Sequence, residues 1–181
     1  MKKTLLLGAI ALLSVSAMAQ KKVTTSATVS FDATTKLDAL PKAENKTVIA
    51  SLDTKKGSLN FEATVKNFSF GNPMMQEHFN GATWMDSDKY PTSTFKGTIT
   101  NIASVNFAKD GSYPVEVEGT LNMHGVDQSI KTKGTLTVAG KTVTAAAEFS
   151  VKLEDYKVNG PAIAAGKVAQ EPKISVSAEF K

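Results

Sequence analysis

The chain has 181 residues, with 21 basic and 17 acidic side chains, a formal net charge of +4 and no cysteine. That length fits one domain with a sizeable core. It excludes disulfides and thiolate metal sites, and so mild an excess of positive charge calls for no nucleic-acid partner.

The opening MKKTLLLGAIALLSVSAMAQ sets Lys2 and Lys3 before an apolar run from Leu5 to Leu13 and closes on Ala17-Met18-Ala19. A charged start, a short apolar centre and an Ala-x-Ala site make residues 1–19 a secretory signal peptide, too short in its apolar part to span a bilayer. Residues 20–181 are then a single exported domain, periplasmic or secreted. No cysteine follows the apolar run and no second long apolar stretch occurs, so no stable membrane anchor is expected.

After the leader, hydrophobicity alternates with a period of two. TSATVSFD places Ala27, Val29 and Phe31 on one face, and TVIASL does the same with Val48, Ala50 and Leu52. SLNFEATVK and STFKGTI follow, with Phe61, Ala63, Phe95, Gly97 and Ile99 sharing a side. The pattern then runs through YPVEVEGTLNMH, SIKTKGTLTV, KTVTAAAEFSV and KISVSAEF, eight strand candidates in all. Lys55-Lys56-Gly57, Asp110-Gly111, His124-Gly125 and Ala139-Gly140-Lys141 are short turn signals of the kind that join antiparallel neighbours. An all-β, up-and-down arrangement follows. Between the third and fourth strands, Pro73 to Phe79 predicts a short helix, with Asn72 as its cap and Pro73 at its first position. Ala162 to Ala169 is read as a short helix or an irregular loop across a barrel mouth.

The presumed inner face mixes bulky residues with Ala27, Ala50, Ala63, Gly97, Gly119, Ala145, Ala147 and Ala178. Eight strands closed into a barrel either fill their interior or hold one small ligand, and small side chains leave room for the second outcome. A tapered, packed core is the competing reading.

Three stretches carry a resemblance. MQEHFNGATWMDSDKYPTSTFKG holds Glu77-His78, Asp88, Tyr90-Pro91, Phe95 and Gly97; GTLNMHGVDQSIK holds Gly119, Leu121, Met123, His124-Gly125-Val126 and Ile130; FSVKLEDYKV is a softer third. In this order and spacing the chain resembles the YceI-like family of exported bacterial proteins. The resemblance implies an eight-stranded antiparallel lipocalin-like β-barrel with the helical insertion between strands 3 and 4. It also implies a lumen that holds a long apolar molecule: a polyisoprenoid, an isoprenoid quinone or a fatty-acid-like lipid. The N-terminal third departs from the family's commonest pattern, lacking its early His-Ser motif and a further histidine, so ligand contacts from that part do not carry over.

The expected ligand-binding residues are Phe31, Phe61, Phe68, Met75, Phe79, Trp84, Phe95, Ile99, Leu121 and Phe149. Met74, Met75, Phe79, Trp84 and Met85 gather about the predicted helix, where thioethers and aromatic faces suit either a lid on an apolar chain or a plug of ordinary core. Glu77 and His78 are adjacent on a helix and point apart, so they are poorly placed to act on each other. A site joining His78 with His124 would be two histidines without a carboxylate, short of a catalytic zinc set. Each histidine is instead expected to hydrogen-bond backbone where strand meets turn. No G-x-S-x-G elbow and no phosphate-binding glycine loop occurs. No catalytic residue, metal or cofactor is assigned. The leading reading is non-catalytic carriage of a lipid; a filled barrel serving as a protein-interaction module is the alternative, and a hydrolase or isomerase the third. Self-association as a homodimer is left open.

Overall fold

The computed structural model describes residues 21–181; the leader expected at 1–19 lies outside them. In chain order the elements are β1 (Lys21–Asp32), β2 (Lys42–Asp53), β3 (Ser58–Thr64), β4 (Ser69–Phe70), α1 (Pro73–Asn80), β5 (Thr92–Ile99), β6 (Gly111–Met123), β7 (Val126–Ala139), β8 (Thr142–Ser150), α2 (Pro161–Ala164) and β9 (Lys173–Phe180). The long strands run β1-β9-β8-β7-β6-β5-β3-β2, and β2 returns to β1, so the sheet closes into an eight-stranded antiparallel barrel. α1 falls between the third and fourth long strands. Closure gives every long strand a neighbour on each side, though some ladders are partial: β1 meets β9 over Thr28–Asp32 and β7 meets β8 over Gly134–Ala139.

Turn chemistry fixes the register. At the β6–β7 hairpin His124 and Gly125 both have positive φ, 52° and 72°, the twist a two-residue hairpin needs. The β5–β6 connection differs from the tight turn that Asp110-Gly111 suggests. It runs through residues 100–110, with a 3-10 turn at Ile102–Ser104, and Gly111 already belongs to β6. Asn101 is the reason: its side-chain oxygen accepts from the Glu116 N–H at 2.9 Å and its amide donates to the Pro114 carbonyl at 3.2 Å, occupying β6 backbone beyond the end of β5. The Asp110 carboxylate accepts from the Gly140 N–H of the neighbouring hairpin at 2.8 Å.

β4 is the element that alternation does not announce. β3 pairs with β2 only over Ile49 to Leu52, turns through Val65–Asn67, and β4 resumes the pairing at Ala43 and Glu44. Side chains fill the interval. Asn45, fully buried, donates to the Thr64 carbonyl at 3.0 Å and accepts from the Thr47 N–H and hydroxyl, each at 2.9 Å, while Asn67 donates to the Thr47 hydroxyl at 2.8 Å. The β1–β2 register shifts beside it, a bulge that re-aims both strands.

The interior is not uniform along the barrel axis. At the end bearing the β2–β3 and β7–β8 turns, Leu52, Ile99, Val138, Val143 and Phe180 are all 2 % exposed or less and belong to the packed core. Toward the other end, beneath α1 and the 153–172 segment, inward-facing Phe31, Phe61, Phe95, Leu121, Phe149 and Ile174 are only half-buried. The barrel is solid at one end and hollow at the other.

Candidate functional site: an apolar lumen beneath a helical cap

The hollow end encloses a cavity of about 180 Å³. On the same measure one water needs roughly 10–15 Å³, so the space is an order of magnitude beyond a packing defect. Among its few polar contributors are Ser93, Thr94, Thr132 and Thr135; the rest of the wall is overwhelmingly carbon. Such a surface gives water few partners and suits an alkyl chain.

Of the residues expected to touch a ligand, Phe31, Phe61, Phe95, Leu121 and Phe149 border this cavity from the strands, and Phe68, Phe79 and Trp84 border it from the cap. Two do not. Ile99 ends β5 one layer deeper than Gly97 and is sealed, 1 % exposed, in the packed end. Met75 lines a separate outer pocket beside α1. Residues not anticipated include Ile130, Gly134, Ile174 and Val176. Ile130 and Gly134 lie on one side of SIKTKGTLTV, so the alternation already held that signal.

The small residues divide by position. Ala63, Ala145 and Ala147 border the cavity, whereas Ala27, Ala50 and Ala178, each 1 % exposed or less, are ordinary tight core. Gly97 and Gly119 face each other across β5 and β6, and the Phe95 ring covers both: a Cβ on either would fall within 2.6 Å of its Cζ. The paired glycines let an aromatic ring lie flat on the wall rather than project into the lumen.

The cap is aromatic. Phe31 stacks on Phe79 with centroids 5.5 Å apart and planes at 16°, and Phe68 and Phe70 meet both rings at centroid distances of 5.0 to 6.1 Å. α1 is placed as its sequence dictates: the Asn72 side chain accepts from the Met74 N–H at 2.9 Å, and Pro73 occupies the first turn. Gln76 ties the helix to β4 by accepting from the Phe70 N–H at 3.2 Å. After α1, buried Ser87 donates its hydroxyl to the Asn80 carbonyl at 3.2 Å and locks the turn that carries Trp84. Farther along, Asp88 pairs with Lys66 on the surface.

The second histidine has a different task. His124 Nδ1 lies 3.0 Å from the Tyr156 carbonyl, so Nδ1 carries the proton and donates it. The Tyr90 ring meets the imidazole edge-on at 4.7 Å and covers Gly125, where a Cβ would fall 2.4 Å from a Tyr90 ring carbon. Gln128 adds a bond to the Asp155 carbonyl at 2.9 Å. The Tyr-Pro, His-Gly-Val and Asp-Tyr stretches therefore meet at one point, a latch between the β6–β7 hairpin and the 153–156 turn. His78 departs from the expectation of a backbone partner; it is exposed on α1 and lines the outer pocket. Among the described residues no group of three or more His, Cys, Asp or Glu side chains is arranged to hold a metal.

The fold agrees with what the chain is similar to. The YceI-like domain profile matches residues 14–180. The chain belongs to the YceI-like family. Among solved structures it is similar to a polyisoprenoid binding domain from Saccharophagus degradans implicated in plant cell wall breakdown, with a TM-score of 0.75 and 14% identity over 90% of this chain and 98% of that one. It is also similar to BcnA of Burkholderia cenocepacia, at TM-score 0.69 and 23% identity over 86% and 96% of the two chains. A Campylobacter jejuni YceI protein aligns over 100% and 99% of the chains, at TM-score 0.53 and 15% identity. At these identities the likeness speaks for the fold. No curated protein sequence matches the chain.

Proposed function

We propose that this YceI-like protein binds and carries a long apolar molecule, a polyisoprenoid or a comparable lipid, in the barrel lumen after export to the periplasm, and performs no chemistry on it. The observation that carries the reading is the hollow end, a cavity of about 180 Å³ walled by Phe61, Phe95, Leu121 and Phe149. Each methylene removed from water contributes about 0.8 kcal/mol, so a tail of many carbons gains steeply by entering such a space. The polyisoprenoid-binding description of the Saccharophagus degradans domain supports the same ligand class. The alternative, a filled barrel that serves a protein partner, has less support from these part-buried inner rings.

Protein purified without detergent is extracted with organic solvent and the extract analysed by mass spectrometry. Carriage predicts a lipid recovered in near-stoichiometric amount, or isoprenoid taken up by protein first stripped of lipid. Repeated absence of both contradicts the proposal.

A further inference from the structure

The mild charge of the chain conceals an uneven distribution. Residues 21–181 carry 19 of the 21 lysines and all 17 acids, a side-chain charge of +2. The turns and chain ends of the packed end are residues 21–22, 53–57, 100–111, 139–142 and 179–181. They hold seven of those lysines, Lys21, Lys22, Lys55, Lys56, Lys109, Lys141 and Lys181, against three acids, Asp53, Asp110 and Glu179. That end therefore carries +4, and the twelve lysines and fourteen acids of the rest of the barrel carry −2. The fold makes the cluster, since five separate segments bring it together.

The few acids there are already engaged. The Asp53 carboxylate accepts from the Lys55 and Lys56 N–H groups at 2.9 and 2.8 Å, and Asp110 accepts from the Gly140 N–H at 2.8 Å. Both cap turns. Glu179 pairs with Lys181 at 2.9 Å, the one ion pair of this end among the described residues. Lys22 Nζ donates to the Lys141 carbonyl at 2.6 Å, which draws the start of β1 onto the β7–β8 turn and brings two cations side by side. Like charges gathered on one face repel, and an anionic surface turns that cost into attraction.

The kind of anion follows from where the lysines stand. None of the seven lines the lumen or the pocket beside α1, so they offer charge spread over a face and not a shaped site. Such a face suits a fluid layer of headgroups better than one fixed partner. The path of the chain favours the same choice. Lys21 opens β1 within this face, eight residues after Leu13, where the leader's apolar run ends, and eight residues span at most about 29 Å. A leader engaged with the bilayer thus holds this end of the barrel near it. That point rests on the export reading; the charge of the face does not.

We infer that the packed end is a docking face for an anionic phospholipid surface. It binds reversibly through lysines, with the hollow end and its helical cap turned away from the bilayer.

The mature protein is mixed with vesicles of phosphatidylcholine alone, or of phosphatidylcholine with phosphatidylglycerol, and bound protein is separated by sedimentation. Docking predicts binding to the anionic vesicles only. Raising salt from about 0.1 M to about 1 M shortens the screening length from about 10 to about 3 Å and should release the protein. Each lysine near an anionic surface contributes about fivefold, so Lys55→Gln/Lys56→Gln/Lys141→Gln is predicted to lose on the order of a hundredfold in binding. All three are exposed turn side chains, and the unfolding midpoint of the variant should match that of the natural protein. Lys36→Gln/Lys96→Gln/Lys133→Gln removes the same charge from exposed positions elsewhere and is predicted to lose less than about tenfold. No binding to anionic vesicles, equal binding to neutral ones, or equal losses in the two triple variants each overturns the docking face. Capture by soluble polyglutamate without capture by vesicles overturns it too, and assigns the face to an acidic polymer.

Discussion

The imidazole of His124 and the carbonyl of Tyr156 lie 3.0 Å apart, joining the tip of the β6–β7 hairpin to the turn that follows β8. The bond holds a piece of the rim over the lumen, and it is the backbone contact expected of this histidine from its place between strand and turn. His124→Ala orphans the Tyr156 carbonyl and is expected to cost about 1–3 kcal/mol. Urea denaturation reads the loss, and the folded variant is expected to retain lipid uptake. Loss of uptake at unchanged stability would place His124 in the ligand site instead.

Tyr156 itself is 1 % exposed, and its hydroxyl has no partner among the described residues. Burial, reinforced by nearby Asp155, pushes its pKa from the usual 10 up to about 12. Between those values the unfolded chain has released the proton and the folded chain still holds it, so stability falls as pH rises from 10 to about 12. Tyr156→Phe removes an unsatisfied hydroxyl and is expected to be neutral or stabilising by about 1 kcal/mol at pH 7. Its advantage should widen through that alkaline window. Urea midpoints of the two proteins across the range test both parts.

Gly119 is predicted to tolerate no side chain. A Cβ there would lie 2.5 Å from the Lys96 carbonyl and 2.6 Å from Phe95 Cζ. Gly119→Ala should therefore destabilise by about 1–3 kcal/mol and tip the Phe95 ring into the lumen, weakening lipid uptake along with stability. Thermal unfolding and ligand titration measure the two effects.

Asn45 makes three hydrogen bonds beside the gap between β3 and β4, one to the Thr64 carbonyl at the end of β3 and two from Thr47 on its own strand. Asn45→Ala leaves buried backbone unpaired, and a loss of about 2 kcal/mol is expected in urea denaturation.

Much of this was legible in the chain. Alternation located all eight long strands, and Asn72-Pro73 located α1, because each signal is local: side chains on a strand obey a period of two, and a helix start needs a cap whatever lies around it. β4 escaped because two residues have no period, and its pairing depends on Asn45 and Asn67, which bond across the fold. Ile99 and Phe95 share a strand face, yet one is sealed in the packed end and the other borders the cavity. Depth along a barrel axis is not written in alternation. The same holds for the alanines, of which Ala147 leaves space and Ala178 fills it. Glu77-His78 and His124-Gly125 marked the right regions, but only the fold separates a latch histidine from one facing an open pocket.

The central claim, that the hollow end is where a lipid tail resides, is tested most directly by closing it. Ala147 borders the cavity from β8 opposite Gly134 of β7, so Ala147→Phe adds a ring where two small residues pair on the wall. Geranylgeraniol titration followed by Trp84 fluorescence should give saturable, one-to-one binding to the natural protein and at least a tenfold loss in a variant that remains folded. Undiminished binding by the folded variant would contradict a ligand in the lumen.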